Sequence, residues 1–302
     1  MSDMVLIDFL EDVYFILKFQ LAHNTRRLMR NSVRLLNESL GRESMLSDLT
    51  EFVVAKHLKR LLDEGRSPHS VKKTRSDLLA MSNFAARRRL VNRAFYLPPV
   101  KVTHEPPFAF SKQHVDAIFN ACGEQKGEVV FRVNSRTIGG VLKADYMTAL
   151  VTVLFQTAER KSAVLALTFS NVHKDHLYFP ADDRKGSRYN ICAIDHECYK
   201  LIQKIKKPKR KFVFDCGSKS SFHRWFGTVL ENAGVPSDRG HAHAIRRTSA
   251  TMLVENGATA SEVQQHLCHS DPNIQRVYVA DRAIVSSKHR NLERLPKLGG
   301  GE

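Results

Sequence analysis

The most informative stretch of the chain, residues 241–278, reads HAHAIRRTSATMLVENGATASEVQQHLCHSDPNIQRVY. A helix through its first part would place His243 and Arg246, three residues apart, side by side on one face. Gly257 can end that helix, and Ser261 can cap the next one. The stretch therefore predicts two short helices joined by a tight turn, with a histidine and an arginine on the first of them.

A second histidine and a tyrosine follow these helices. Leu267-Cys268-His269 is followed by a turn at Asp271-Pro272-Asn273, and Tyr278 falls in the first turns of another helix. The short helices can therefore bring two histidines, one arginine and one tyrosine together. Each of these side chains can donate a hydrogen bond to a phosphate ester, and the imidazoles can also take up a proton.

The same residues allow a second interpretation, a zinc site made of His and Cys side chains. These side chains are divided between two elements and lack the paired spacing of zinc ligands. We therefore expect neither a metal nor another cofactor. The candidates for such a site are His241, His243, His266, Cys268 and His269.

The charge balance of the whole chain favours a polyanionic partner. Lys and Arg number 47 against 31 Asp and Glu, which gives a net charge of +16 and a pI of about 9.8. Nucleic acid would bind such a chain through neutralised phosphates and released counterions. An anionic membrane surface would also attract it, but the basic residues are spread over both halves of the chain. We therefore expect nucleic acid and no membrane.

Length and composition bound the class of protein. The 302 residues suffice for two modest domains, and 42% of them are hydrophobic, as in an ordinary globular chain. We find no apolar run long enough to span a membrane, and Asp3 stands where a secretory signal would carry a basic residue. The five cysteines are irregularly spaced, which argues against a disulfide framework. We therefore expect a cytoplasmic protein in a reducing compartment.

The first hundred residues have the apolar spacing of amphipathic helices. The predicted helices are Val5–Phe19, Leu28–Leu40 ended by Gly41, a third from Asp48 or Thr50 to near Gly65, and a fourth from Ser67 through Phe84. Pro98-Pro99 and Pro106-Pro107 then bracket a stiff, extended connector. We therefore divide the chain into a helical domain at 1–100, a linker at 101–109 and a second domain at 110–302.

The second domain mixes helices with a small amount of strand. Residues 123–136 give no clear pattern, whereas Leu177–Phe179 and Tyr189–Ile194 predict a hairpin around the charged turn Asp182–Ser187. The predicted helices of this domain are Ser111–Ala121, Tyr146–Gln156, 195–206, 219–233, 244–256, 260–268 and about 273–292.

The residues of the 241–278 stretch resemble the signature of the tyrosine recombinases, the phage-integrase type of site-specific recombinase. The family's His-x-x-Arg corresponds to His243-Ala244-Ile245-Arg246, and its Leu-x-His to Leu267-Cys268-His269. Its tyrosine, nine residues after that histidine, corresponds to Tyr278. A single such element arises by chance, but several in the family's order and spacing are specific.

Upstream segments extend the resemblance to nearly the whole chain. Phe155–Leu167 is similar to the segment that holds the family's first arginine, which gives Arg160. A hairpin turn matches the loop with the family's catalytic lysine and gives Lys185, in competition with Arg184 and Arg188. The helical N-terminal part is similar to the family's DNA-clamping domain.

The sequence departs from the family pattern near both arginines. The glycine that usually stands just before the first arginine is Ala158, and the acidic Glu159 lies next to it. The acid common three positions after that arginine is Ala163, and the glycine of Leu-Gly-His is Cys268. Arg247 follows the second arginine where a histidine is frequent. Since every predicted catalytic side chain is kept, we expect these changes to affect the rate rather than the type of reaction.

The resemblance implies a DNA strand transferase that needs neither metal nor ATP. Arg160 and Arg246 would hold the two non-bridging oxygens of a phosphorane-like transition state, a task that suits guanidinium groups. Tyr278 would attack the phosphorus and form a 3′-phosphotyrosyl link, with His243 as base or proton relay. A 5′ hydroxyl of another strand would then reverse the step.

Two further residues complete the implied site. Lys185 would protonate the departing 5′ oxygen, and His269 would donate a hydrogen bond to a non-bridging oxygen. The predicted catalytic residues are Arg160, Lys185, His243, Arg246, His269 and Tyr278.

The resemblance also implies the architecture and the partners. We expect a mostly α fold with a small β-hairpin or sheet: a helical core-binding domain and a mixed α/β catalytic domain of DNA breaking-rejoining type, closing as a C-shaped clamp on double-stranded DNA. DNA would drive a homotetramer of two dimers on two sites, with an arm from about residue 282 docking on a neighbour. Accessory DNA-bending proteins and a nucleoid location would fit this role. The predicted DNA-binding residues are Lys72, Lys73, Arg87, Arg88, Arg89 and Arg247.

Two other functions stay open at this stage. A relaxing enzyme of the type IB topoisomerase kind shares the Arg-Lys-Arg-His-Tyr chemistry, although the small N-terminal domain and the Leu-x-His before Tyr278 favour a recombinase. A DNA-binding regulator that has lost catalysis could use the same scaffold, although all six predicted catalytic side chains are present. Covalent trapping on DNA separates an active enzyme from such a regulator.

Overall fold

The chain folds as two compact units, Met1–His104 and Glu105–Glu302. The computed structural model describes residues 3–103, 108–133, 136–182, 188–215, 219–236 and 242–268. Helices dominate both units, and the described strands form small antiparallel pairs. The predicted fold class, mostly α with a small β component, is confirmed.

The first unit is helical because its apolar residues lie at helical spacing and bury a common core. Leu36, Val54 and Leu78 are fully buried in that core. The helical segments are Leu6–Asp8, Phe9–Tyr14, Phe15–Leu17, His23–Leu40, Glu51–Asp63 and Pro68–Arg87, with a 3₁₀ turn at Leu46–Asp48.

The first predicted helix is present, but its middle part, Phe9–Tyr14, is a π-helix. A π-turn spaces contacting residues five apart, and Phe9 and Tyr14 face the core together with their ring centroids 6.3 Å apart. Tyr14 also packs on Phe84, with the ring centroids 4.7 Å apart. The wider turn therefore lets two large aromatic rings enter the same core.

Capping explains where the other helices of the first unit begin and end. Of the two predicted caps, Thr50 accepts a hydrogen bond from the Val53 N–H. Asp48 instead accepts from Arg42 Nη1 at 2.7 Å and from the Met45 N–H at 2.7 Å. Gly41 ends its helix with φ +70°, as predicted.

The second unit is built around one central helix, Lys143–Thr157, whose side chains are buried on nearly every face. Helices Lys112–Gly123, His196–Lys204 and Ala242–Glu255 pack against it. The other described helices of this unit are Lys161–Ala166, Lys219–Asn232 and Ala260–His266, with a 3₁₀ turn at Phe169–Asn171.

The segment that gave no clear sequence pattern contains strands. Glu128–Val133 pairs with Arg136–Leu142 in antiparallel register, with a β-bulge between Phe131 and Arg132. Val129 and Phe131 are buried and Val130 is 51% exposed, which is the alternation of a strand with one face on the core. The bulge and the polar residues around it obscure this alternation in the sequence.

The predicted hairpin of the second unit is present as His176–Phe179 paired antiparallel with Asn190–Ala193. Its turn at 183–187 lies outside the described residues. The predicted cap at Ser261 is wrong, because Thr259 caps the helix Ala260–His266 and Glu262 completes a reciprocal capping box with it. The Thr-x-x-Glu spacing of that motif satisfies two donors at once.

Two further findings concern the class of protein. Every helix in the described part of the chain is too short or too polar to cross a membrane. Cys122, Cys192, Cys198 and Cys268 are free thiols.

Candidate functional site

Arg246 is the centre of the candidate site. It is 1% exposed and is the largest fully buried side chain among the described residues. Its Nη2 donates to the carbonyl oxygen of Leu267 at 2.6 Å, and its Nη1 donates to the carbonyl oxygen of Ala158. The guanidinium therefore ties the end of the helix Ala260–His266 to the turn that precedes Arg160.

Both of these carbonyls belong to turns that contain a left-handed residue. Ala158, which follows the helix Lys143–Thr157, has φ +47°, and Cys268, which follows Leu267, has φ +48°. Glycine adopts this conformation without the steric cost that a Cβ atom brings. The two positions are those where the family pattern has glycine. The structure thus explains that preference and shows that Ala158 and Cys268 keep the backbone geometry of the turns.

A small apolar cluster surrounds these turns. It is formed by Ala158, Ala250, Val254, Val263 and Leu267, all buried. The cluster packs the helix Ala242–Glu255 on Ala260–His266. Arg246 is therefore fixed by packing as well as by its hydrogen bonds, and a charged group held in this way needs little reorganisation to act on a ligand.

Arg160 lies at the start of the helix Lys161–Ala166, as its N-cap residue, and is half-buried. Its backbone N–H donates to Glu159 Oε2 at 3.0 Å. The next residue, Lys161, places its Nζ 2.7 Å from His223 Nε2. The end of the central helix therefore brings two adjacent cations to the region of Arg246.

His243 lies in the same electrostatic neighbourhood. Although much of the residue is exposed, the packing around its imidazole desolvates the ring and lowers its pKa. The positive charges of Arg246, Arg247, Arg160 and Lys161 lower the pKa further, in that order. The structure therefore brings together the three described members of the predicted catalytic set, Arg160, His243 and Arg246, and it favours the neutral form of the histidine.

In the sequence His266 is only a candidate zinc ligand, but in the structure it belongs to this neighbourhood. Its Nε2 is 3.0 Å from Ser249 Oγ, on the helix that carries Arg246. Burial and the charge of Arg246 both lower its pKa. The signal was present in the sequence, since His266 and His269 are three residues apart, but the family pattern drew attention to His269 alone.

The remaining predicted catalytic residues, Lys185, His269 and Tyr278, lie outside the described residues, as does the arm from residue 282. The described part of the predicted catalytic set therefore consists of Arg160, His243 and Arg246.

Among the predicted DNA-binding residues of the first unit, the three arginines lie at the end of the helix Pro68–Arg87, whereas Lys72 and Lys73 lie near its start. Arg87, Arg88 and Arg89 are exposed, and the Arg88 guanidinium lies 4.6 Å from the centroid of the Phe84 ring. Lys72 is exposed too, whereas Lys73 forms an ion pair with Asp77. In the second unit, Arg247 is half-buried beside His243.

Comparison with known proteins identifies the class of protein to which this fold, with its grouping of Arg160, His243 and Arg246, belongs. The model of the Phage integrase family matches residues 110–283, more than half of the chain. The chain therefore belongs to the Phage integrase family, and its activity is that of a site-specific recombinase of the tyrosine type. The two other functions left open by the sequence are not favoured.

Individual relatives have low sequence identity to this chain, but the similarity extends over most of its length. The tyrosine recombinase XerD of Halalkalibacterium halodurans is 22% identical over 247 residues, which cover 76% of this chain and 77% of the relative. A lambda integrase dimer bound to a COC' core site superposes with a TM-score of 0.69 at 15% identity, over 93% of this chain and 78% of that one. A lambda integrase tetramer bound to a Holliday junction gives 0.67 at 16% identity, over 93% and 79%. At such identities the structural likeness shows the fold.

Proposed function

We propose that this chain binds double-stranded DNA and recombines it at specific sites through a 3′-phosphotyrosyl intermediate on Tyr278. The observation that supports the proposal best is the hydrogen bond from Arg246 to the carbonyl of Ala158, because it places the second predicted arginine beside the turn that carries the first. Integrases of this fold have been solved on DNA.

The arginines account for the charge that develops during strand transfer. In-line attack on a phosphodiester places negative charge on two non-bridging oxygens, and Arg160 and Arg246 would each donate to them. A buried guanidinium interacts more strongly with that charge than one in water. Because these cations neutralise the charge, the reaction would proceed without a metal, and because the phosphotyrosyl link conserves the bond energy, it would need no ATP.

The proton transfers would use the other predicted residues. His243 would be neutral at pH 7, since its pKa is lowered, and could take the phenolic proton of Tyr278. Lys185 would give a proton to the departing 5′ oxygen. His269 would donate to a non-bridging oxygen, and the 5′ hydroxyl of a second strand would reverse the step.

Covalent trapping tests the nucleophile. Duplexes from the DNA that flanks the gene carry a nick just 3′ of a candidate scissile phosphate. On cleavage the short fragment with the freed 5′ hydroxyl dissociates, and the protein stays attached to the 3′ phosphate. We expect a protein–DNA adduct with the natural chain and none with Tyr278→Phe. An adduct with Tyr278→Phe would refute the assignment, and absence of adduct with the natural chain on every duplex that it binds would favour the inactive regulator.

Recombination needs two sites, so we propose a DNA-driven homotetramer of two dimers, helped in some contexts by DNA-bending proteins. The segment after residue 282 is basic and amphipathic in sequence and would dock on a neighbouring protomer. Deleting residues 282–302 should abolish recombination and spare binding to a single site. Recombination by the truncated chain would show that the arm has another role.

A further inference from the structure

Glu159 is a buried acidic residue next to the first predicted arginine. It is 1% exposed, the lowest exposure of any acidic residue among the described residues of the second unit. Burying a carboxylate is costly unless hydrogen bonds satisfy it. The family pattern does not require an acid at this position, so the burial of the Glu159 carboxylate needs a physical explanation.

The contacts of Glu159 give that reason. Its Oε2 accepts the backbone N–H of Arg160 at 3.0 Å, and its Oε1 accepts from Asn190 Nδ2 at 2.8 Å. Asn190 is the first residue of the strand Asn190–Ala193. One carboxylate therefore joins two segments that are 31 residues apart in sequence.

This bridge belongs to a longer polar seam, which we define as residues 156–159 against residues 190–195. Gln156 and Asp195 exchange two hydrogen bonds, from Gln156 Nε2 to Asp195 Oδ2 at 2.6 Å and from the Asp195 N–H to Gln156 Oε1 at 3.2 Å. Asn190 Nδ2 also lies 3.1 Å from Cys192 Sγ. The strand is thus held along the end of the central helix, and Glu159 forms the part of the seam closest to Arg160.

We propose that Glu159 is a positioning residue of the recombination site. By bridging the Arg160 backbone to Asn190, it fixes the backbone of this arginine relative to the strand Asn190–Ala193 and so holds the arginine where it meets the scissile phosphate. The carboxyl group that the family pattern has three positions after the first arginine is absent, since Ala163 stands there and is buried. Glu159 supplies a carboxyl group from the other side of that arginine. This inference rests on the proposed function.

The test compares Glu159→Ala, Glu159→Gln and Gln156→Ala on the nicked duplex. The rate constant of adduct formation is measured at saturating protein, and the Kd for DNA is measured separately. Because Glu159→Ala releases both segments that the carboxylate joins, it should slow adduct formation by about 10- to 100-fold, with a Kd within about twofold of the natural value. Gln156→Ala removes the adjoining part of the seam and should stay within about twofold.

Glu159→Gln distinguishes the bridge from the charge. A glutamine keeps an oxygen for the Arg160 N–H, and the Asn190 amide can turn its own oxygen toward the new amide group. The proposal therefore expects Glu159→Gln to react within about threefold of the natural chain. If Glu159→Gln is as slow as Glu159→Ala, or if Glu159→Ala reacts normally, the proposal is wrong.

Amide hydrogen exchange without DNA keeps this inference separate from the proposed function. Glu159→Ala should speed exchange at the Arg160 amide and in residues 190–193 together, and Gln156→Ala should leave the Arg160 amide protected. If the natural chain forms no adduct but these changes occur, the proposed function fails and the bridge stands. If the natural chain forms the adduct and exchange in Glu159→Ala is unchanged, the bridge fails alone.

Discussion

At the scale of single residues, the two left-handed turns next to Arg246 carry a steric cost that the reaction does not require. Ala158 and Cys268 have φ +47° and +48°, where a Cβ atom costs about 1–2 kcal/mol. Glycine avoids this cost but has more freedom to lose on folding, by about 0.5–1 kcal/mol. Ala158→Gly and Cys268→Gly should each therefore raise the free energy of unfolding of the second unit by about 0.5–1 kcal/mol, measured by urea denaturation.

Ala163→Gly is the matched control for this prediction. Ala163 is buried within the helix Lys161–Ala166, where glycine has no conformational advantage. This variant should lower the free energy of unfolding by about 1 kcal/mol. A loss of stability in all three variants would mean that the methyl and thiol groups contribute more by packing than the left-handed backbone costs.

His243 should give adduct formation a characteristic pH dependence. Its pKa is lowered by burial and by four neighbouring cations, Arg247 among them. A base with a lowered pKa keeps its neutral form to lower pH, so the rate constant should begin to fall only below pH 6.5, the ordinary value for histidine. Arg247→Gln removes one of the charges and should move this fall toward higher pH. An unchanged profile in Arg247→Gln would assign the acidic limb to another group.

At the scale of elements, the sequence predicted those parts whose signals are local. Caps and apolar spacing located the helix that holds His243 and Arg246, and the family motif located Arg160 just after a buried helix. The strand Glu128–Val133 was missed because its bulge interrupts the alternation. The seam of Glu159 could not be predicted either, since its partner Asn190 is 31 residues away and only the fold brings the two together. Long-range polar pairs leave no periodic trace in a single sequence.

The packing of the helix Glu51–Asp63 on His23–Leu40 should depend on pH through His57. His57 is 2% exposed, its Nδ1 lies 2.6 Å from Ser39 Oγ, and burial lowers its pKa from 6.5 to about 4. Between pH 6.5 and about 4, His57 takes up a proton in the unfolded chain but stays neutral in the folded chain. The free energy of unfolding therefore falls as the pH drops. The loss should approach 3 kcal/mol at about pH 4.

Urea denaturation at pH 7, 6, 5 and 4 measures this dependence. In His57→Gln the fall between pH 6.5 and 4 should be smaller by most of that amount, because glutamine does not titrate. Parallel curves for the natural chain and His57→Gln would mean that His57 takes up a proton in the folded state as readily as in the unfolded one.

At the scale of the whole molecule, two explanations of DNA binding lead to different predictions. DNA is attracted either by the net charge of +16 as a whole or by direct phosphate contacts of the exposed arginines of the first unit. If net charge alone matters, any three lost cations weaken binding equally. If Arg87, Arg88 and Arg89 contact phosphates, each lost contact reduces the slope of log K against log salt by about 0.9. The two cases differ in salt dependence as well as in affinity.

The triple variant Arg87→Ala, Arg88→Ala, Arg89→Ala should therefore reduce this slope by up to about 2.7. The slope is measured on a duplex between about 50 and 200 mM salt, where phosphate contacts weaken steeply. The matched control is Lys56→Ala, Lys59→Ala, Arg60→Ala, which removes the same charge. Lys59 and Arg60 already pair with Asp63 at 2.6 Å and Glu64 at 2.7 Å, so few counterions should be released from them on binding. An equal reduction of the slope in both variants would show that the long-range field of the molecule, and not the end of the helix Pro68–Arg87, attracts DNA to the first unit.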